Sequence, residues 1–264
     1  MTDPRPGRLL FHREGESAWN MAVDQAIAES VSADAPSGSA PTYTLRFYTW
    51  AAPTLSLGYF QSSADASPRF DATERVRRST GGGAILHHHE LTYSLTVSSS
   101  AGEHGARTDL YRRVHAAIIN ALHRHGIDAR PHYLNKTPAA KTLAAGPRSA
   151  SDDPFLCFQR RTDEDLIVSG YKVLGSAQRR FKRSILQHGS LLLRASEYAG
   201  ELPGLVDLTS IGLDAETLLT RISQEFAALT GIAFESDVLT ETELTRADEI
   251  VASRFGQSDW WTRR

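Results

Sequence analysis

Three consecutive glycines, Gly81-Gly82-Gly83, stand between the paired guanidiniums of Arg77-Arg78 and the apolar run Ala84-Ile85-Leu86. Glycine loses more conformational entropy on folding than any other residue and weakens strands, so a triplet answers to a tight turn, a bulge, or close approach of a ligand to the main chain. The residues after the triplet narrow the fold. A Walker loop requires Gly-Lys-Ser/Thr next, and a dinucleotide fold requires strand, GxGxxG and helix in that order. Here strand-like residues come after the glycines. The segment is therefore bare backbone beside fixed positive charge, where Arg77 and Arg78 can clamp a phosphate or a carbonyl through their planar donor forks.

The rest of the chain places this loop among strands. Alternation in 42–50 puts Tyr43, Leu45 and Phe47 on one strand face, and 54–59, 84–88, 91–98 and 184–193 also read as strands. Leu166–Val168 and Tyr171–Leu174 flank Ser169-Gly170, a two-residue hairpin turn. Helices are predicted over 17–31, capped by Ser17, and over 108–125, capped by Thr108 and stopped by Gly126. Two more run from Asp214 to Gly231 and from Thr240 to Gly256, the second opening on a Thr240/Glu243 capping box. Strands in runs with helices at the ends predict an α+β fold around a mixed, largely antiparallel sheet. The Ala-, Pro- and Ser-rich stretch 135–153 is long enough to be expected as a mobile loop.

Two residues stand out beyond the glycines. Lysine occurs only at 136, 141, 172 and 182 against a large excess of arginine. Lys172 shares a strand face with Leu174, and the small residues Gly175-Ser176-Ala177 next to it would let a thin ligand pass. Pointing inward, its ammonium can orient and polarise a carbonyl or phosphoryl oxygen; pointing outward, it is merely solvated. Cys157 is the only cysteine, so no intrachain disulfide forms. Its neighbours Leu156 and Phe158 fit a small buried apolar residue, and a nucleophilic role would need a cation nearby to favour the thiolate. His87-His88-His89 is read as the polar end of a strand rather than a metal site, since neighbours on a strand point to opposite faces.

With a net charge of −2, no global field draws the chain to nucleic acid or to an anionic membrane. The first residues do not resemble a secretory leader and no apolar run approaches a membrane span, so a cytoplasmic protein is expected.

Taken in order, Arg77-Arg78-x-x-Gly81-Gly82-Gly83-Ala84-x-x-His87, Glu90-Leu91-Thr92-Tyr93-Ser94, Lys172-Val173-x-Gly175-Ser176-Ala177-Gln178 and Gln187-His188-Gly189-Ser190-Leu191 resemble the lipoate/octanoate branch of the biotin/lipoate protein ligase superfamily. Asn20-Met21-Ala22-x-Asp24 and Leu57-Gly58-Tyr59-x-Gln61 add to the likeness. The resemblance implies a single catalytic domain over 1–264 with no C-terminal accessory domain. It implies that Arg77, Arg78, Gly81, Gly82, Gly83 and His87 line a medium-chain acyl pocket with Gly175, Ser176 and Ala177, and that Lys172 contacts the acyl carbonyl.

Within the branch, the position of Cys157 before Gly170-Tyr171-Lys172 is similar to that of the nucleophilic cysteine of the ligase-like octanoyltransferases. His88, where many relatives carry Asp, mildly favours the same side, whereas Tyr171 departs from the usual basic residue. The implied reaction moves an octanoyl group from acyl carrier protein through a Cys157 thioester to a lysine of a lipoyl domain or of the glycine-cleavage H protein. It needs no metal, ATP or other cofactor. An ATP-dependent lipoate ligase, which would use ATP and magnesium, and a non-catalytic binder of acyl domains remain the alternatives.

Overall fold

A computed structural model describes residues 5–33, 42–98, 106–135 and 154–264. From residue 136 onward, the expected loop 135–153 lies outside the described residues.

In chain order the elements are β1 (Arg5–Gly15), α1 (Ser17–Ala33), β2 (Tyr43–Trp50), β3 (Thr54–Leu57), β4 (Glu74–Arg77), β5 (Ile85–His87), β6 (Glu90–Ser98) and α2 (Ala106–Arg124). After them come β7 (Arg130–Pro131), β8 (Leu166–Val168), β9 (Tyr171–Arg180), β10 (Ser184–Leu192), α3 (Ala215–Thr230), β11 (Ile232–Ser236), α4 (Glu241–Ile250) and α5 (Ser258–Thr262). Eight strands form one sheet in the order β11-β1-β2-β6-β10-β9-β8-β7, and β4-β3-β5 form a small second sheet. In the large sheet only the pairings of β1, with β2 and with β11, are parallel. This is the expected α+β class with a mixed, mostly antiparallel sheet.

Helices cover both faces of the large sheet. On one face Leu45, Phe47, Leu91, Tyr93 and Leu95 pack against Val114, Ile118 and Leu122 of α2 and against Leu218, Ile222 and Phe226 of α3. On the other, α1 presents Met21, Ala22, Val23, Ala26 and Ile27 to Leu10, Tyr48 and Trp50, with Ala247 and Ile250 of α4 behind it. The two faces differ in chemistry. On the α1 side the central strands carry Arg46, Glu90, Thr92, Ser94, His188 and Ser190, all buried. A sheet face that buries charge instead of hydrocarbon is held by specific pairing, and that pairing surrounds the candidate active site.

Local signals placed most boundaries. Ser169 and Gly170, at φ 48° and 85°, make the predicted hairpin turn. Asp214 accepts from Thr217 N, Gly231 closes α3 at φ 68°, and Thr240 and Glu243 form the reciprocal cap of α4. The helix expected to reach Gly256 is α-helical only to Ile250 and continues as a π-helical turn, Val251–Phe255. β1, β4, β7 and β11 have no local signal that predicts them. β1 and β11 are joined by parallel pairing of Arg5–Leu9 with Ile232–Ser236, across most of the chain's length.

No helix among the described residues is long and apolar enough to cross a membrane.

Candidate active site

Cys157 opens a one-turn 3₁₀ helix, Cys157–Gln159, and its side chain is half-buried. Two backbone bonds pin this segment to the residue after the glycine triplet: Ala84 N donates to Phe155 O (3.0 Å), and Cys157 N donates to Ala84 O (2.7 Å). The third glycine is what allows this contact, since a Cβ on Gly83 would lie 2.9 Å from Cys157 N.

Lys172 reaches the same point from β9. Its buried Nζ pairs with Asp165 Oδ2 at 2.9 Å. It also donates to Cys157 O (3.1 Å), to Arg160 O (3.4 Å) and toward Cys157 Sγ (3.6 Å). The inward orientation left open by the alternation is the one adopted. A Cβ on Gly175 would sit 2.8 Å from Lys172 Cε, so that glycine keeps the lysine's path clear.

Arg78, Gly81, Gly82, His87, Cys157 and Gly175–Ala177 line one cavity. Met21, Tyr48, Ile85, Thr92 and His188–Ser190 complete its wall. Gly83 lies behind the wall against Cys157, and Lys172 touches Cys157 without joining the wall.

Arg77 is not part of the cavity, contrary to its expected role as a substrate contact. Its guanidinium donates to the carbonyls of Gly58, Gln61, Trp260 and Trp261, the last at 2.6 Å, so it ties the glycine loop to α5. Arg78 is also committed to backbone: Nη1 donates to Ser56 O (2.8 Å) and Oγ (2.7 Å), and Nη2 to the carbonyls of Gly81 and Gly83. Burial pushes its pKa down to about 10, against the opposing pull of Cys157, Tyr48 and Glu90. The two arginines therefore shape the loop.

Sequence reasoning gave no role to the buried charges on the α1 side of the sheet. Asp24 accepts from Arg46 Nη1 (2.7 Å), Ser94 Oγ (2.7 Å) and Tyr48 OH (2.9 Å), with His188 Nδ1 at 3.5 Å. Burial raises its pKa, but Arg46, His188 and Ser94 outweigh burial and hold the carboxyl below its ordinary value. His188 Nε2 meets Thr80 Oγ1 at 2.7 Å, which links this network to the glycine loop.

Glu90 is bonded to His87 Nδ1, Thr92 Oγ1 and Ser190 Oγ; burial pushes it up, and these partners keep it low. His87 stacks on Trp50 at 3.9 Å, and burial lowers its pKa. Neutral, it donates Nδ1–H to Glu90 and leaves Nε2 buried with no partner. Asp24, Glu90 and His188 lie inside the segments that carried the family resemblance, which was the available signal. Arg46, Tyr48, His115 and Asp165 had none. Among the described residues no group of three or more His, Cys, Asp or Glu is arranged to hold a metal.

His115 gives a pH dependence. Its Nδ1 meets Glu164 O (2.8 Å) and its Nε2 meets Ser176 Oγ (2.8 Å), on the cavity wall. Burial pushes its pKa down to about 4. A histidine whose folded pKa lies below its unfolded value stabilises the fold in its neutral form. Its contribution is complete above about pH 6.5 and is lost as pH falls toward 4, by about 3 kcal/mol in all. Urea unfolding across this range is expected to show that loss, and His115→Gln to flatten the curve. An unchanged pH slope in the variant would exclude His115 as its source.

The lipoyl protein ligase A/B catalytic domain family matches residues 16–200 of the chain. A protein of Kyrpidia tusciae named octanoyltransferase LipM is 34% identical, with 97% of this chain and 98% of the relative covered. Another of that name, from Brevibacillus brevis, is 31% identical over 97% of this chain and 99% of its own. Among solved structures, the putative lipoate protein ligase Ta0514 of Thermoplasma acidophilum with bound lipoic acid superposes with a TM-score of 0.75 at 23% identity, covering 97% of this chain and 99% of its own. Lipoate-protein ligase A bound with ATP gives 0.72 at 21% identity, covering 97% and 98%. At those identities the structural likeness is one of fold.

Proposed function

Because the chain belongs to the lipoyl protein ligase A/B catalytic domain family, we propose that it carries octanoyl groups from acyl carrier protein, through a thioester on Cys157, to a lysine of a lipoyl domain or of the glycine-cleavage H protein. The chain is an acyltransferase acting in protein lipoylation. One observation carries the cysteine route: Cys157 Sγ lies at the cavity wall, 3.6 Å from an ammonium held in place by Asp165.

In the first half-reaction the Cys157 thiolate attacks the donor's thioester carbonyl. A new C–S bond forms, the old one breaks, and the donor leaves as a thiolate that takes up a proton. In the second, the neutral amine of the acceptor lysine attacks the Cys157 thioester. An N–C bond forms, the bond to Cys157 breaks, and the amine's proton balances the departing sulfur. Lys172 carries fixed positive charge beside both the sulfur and the carbonyl oxygen of Cys157. A charge placed there favours the developing oxyanion in either step without reorganising when it forms. Asp165 fixes the ammonium in place.

The decisive experiment is intact mass spectrometry after mixing the protein with octanoyl-acyl carrier protein. A thioester adduct on Cys157 that a lipoyl domain discharges is expected. Activity on free lipoate that requires ATP and survives loss of the cysteine would replace this reading with the ligase. Binding of a lipoyl domain with no turnover under either condition would leave a non-catalytic binder.

Chain length selection comes from hydrocarbon burial in the cavity. Each buried methylene is worth about 0.8 kcal/mol, so a hexanoyl donor, two methylenes short, is expected to lose about 15-fold in kcat/KM. Competition between hexanoyl and octanoyl donors measures the ratio, and equal use of the two would contradict an acyl-filled cavity.

A further inference from the structure

Four arginines gather beside the cavity around three aromatic rings. Arg263 lies over Tyr59 (4.3 Å) and Trp260 (4.5 Å), Arg254 over Trp260 (5.0 Å), Arg179 over Tyr59 (5.8 Å), and Arg264 over Phe60 (5.4 Å). Among the described residues none of the four pairs with a carboxylate side chain. Arg246, on α4, by contrast holds both Glu29 and Glu249. In a chain of net charge −2, the four are a local concentration of uncompensated positive charge. Burial, and then the repulsion of Arg254 and Arg263, lowers the pKa of Arg179.

The cluster is a fixed feature. The Arg77 guanidinium grips the carbonyls of Trp260 and Trp261, Ser63 N donates to Arg264 O (2.9 Å), and Arg254 Nη1 donates to Gln25 (2.8 Å). It also borders the cavity. Arg179 Nη1 donates to Ser79 O (2.6 Å), just before the glycine triplet, and Tyr59 N donates to Thr80 O (2.8 Å). The Phe60 ring packs over Gly81 of the cavity wall, yet Phe60 is 69% exposed.

We propose that Arg179, Arg254, Arg263, Arg264 and Phe60 form the docking surface for the acidic protein that delivers the acyl thioester. The proposal rests on the thioester-transfer reading of Cys157. Unpaired arginines around an exposed aromatic are the composition of an interface whose partner supplies carboxylates, with Phe60 as the apolar anchor. Placement selects the donor over the acceptor. Arg179 lies four residues beyond Gly175 on β9, about 13 Å along the strand. An acceptor lysine must bring its protein almost onto Cys157, whereas an acyl group on a long arm leaves its carrier at the cavity rim, where Phe60 lies over Gly81.

The test is the pair Arg263→Glu/Arg264→Glu, two exposed positions outside the cavity, assayed with octanoyl-acyl carrier protein, octanoyl-coenzyme A and the octanoyl thioester of N-acetylcysteamine. The expected result is a KM for the carrier protein raised at least tenfold and a weaker dependence of that KM on salt. Turnover of both small donors and the melting temperature should stay as in the parent. An equal loss with the coenzyme A thioester would assign the arginines to a phosphate and overturn docking of the protein surface; no change with the carrier would overturn it outright. Anisotropy of labelled holo-carrier protein reads docking without turnover. Parent-like affinity in the variant, absence of binding to the parent, or loss of lipoyl-domain affinity in place of carrier affinity each defeats the proposal. If the parent binds the carrier but takes acyl groups from no thioester, the transfer reading fails while the docking surface stands.

Discussion

Cys157→Ala is expected to reduce octanoyl transfer at least about 10³-fold, because the covalent route is removed and no neighbour can replace it. Lys172 lies beside the sulfur, and its ammonium is committed to Asp165 and to the carbonyls of Cys157 and Arg160. The fold should not register the change. The side chain is half-buried, and the segment is held by its backbone bonds to Ala84, which alanine keeps. The expected signature is therefore a parent-like melting curve with no acyl adduct and no transfer. A variant retaining more than about a tenth of parent turnover would show that Cys157 is not the nucleophile.

The largest expected effect on stability is at Arg46. Its side chain is fully buried, donates to His12, Asn20 and Asp24, and stacks on Tyr48 at 4.0 Å. Removing one partner of a buried ion pair leaves the other as an uncompensated charge, at a cost of about 3–5 kcal/mol. Arg46→Leu is expected to destabilise by that amount and to lower Tm by roughly 10 °C in a domain of this size. Because the stranded charge on Asp24 is the cause, Arg46→Leu/Asp24→Asn should recover a substantial part of the loss. Thermal and urea unfolding of the single and double variants measure both effects. A single-variant loss below about 1 kcal/mol, or a double variant no better than the single, would show that the pair does not hold this face.

The sequence was most legible where the determinants were local. Ser169-Gly170 names its own turn, Thr240 and Glu243 name a cap, and Gly81–Gly83 announced a close approach that proved to involve Cys157 N as well as the cavity. Order and spacing of separated motifs brought Cys157, Lys172 and Gly175–Ala177 to one place, although the alternation around Lys172 left its direction open. What stayed hidden depended on distant partners. Arg77 resembled a substrate clamp because guanidinium forks suit anions and carbonyls alike, and only the fold shows that its acceptors are main-chain carbonyls up to 184 residues away. Glu90, Ser94 and His188 lay inside motifs that carried the resemblance and Arg46 inside a strand, yet the sequence assigned none of them a partner. Their pairing becomes visible once β2, β6 and β10 are laid side by side under α1. β1 and β11 escaped notice for the same reason, since each is a strand by virtue of partners far along the chain.

The grip of Arg77 on Trp260 and Trp261 has a bearing on biosynthesis. On a ribosome, the glycine loop, Cys157 and Lys172 all emerge well before residues 260 and 261, and until those arrive Arg77 has only the carbonyls of Gly58, Tyr59 and Gln61 to hold it. Domains generally fold as units during synthesis, so the glycine loop gains its full anchoring only once residues 260 and 261 have been made. A nascent chain released before residue 260 would carry Cys157 and the glycine loop without the contacts that Trp260 and Trp261 give Arg77.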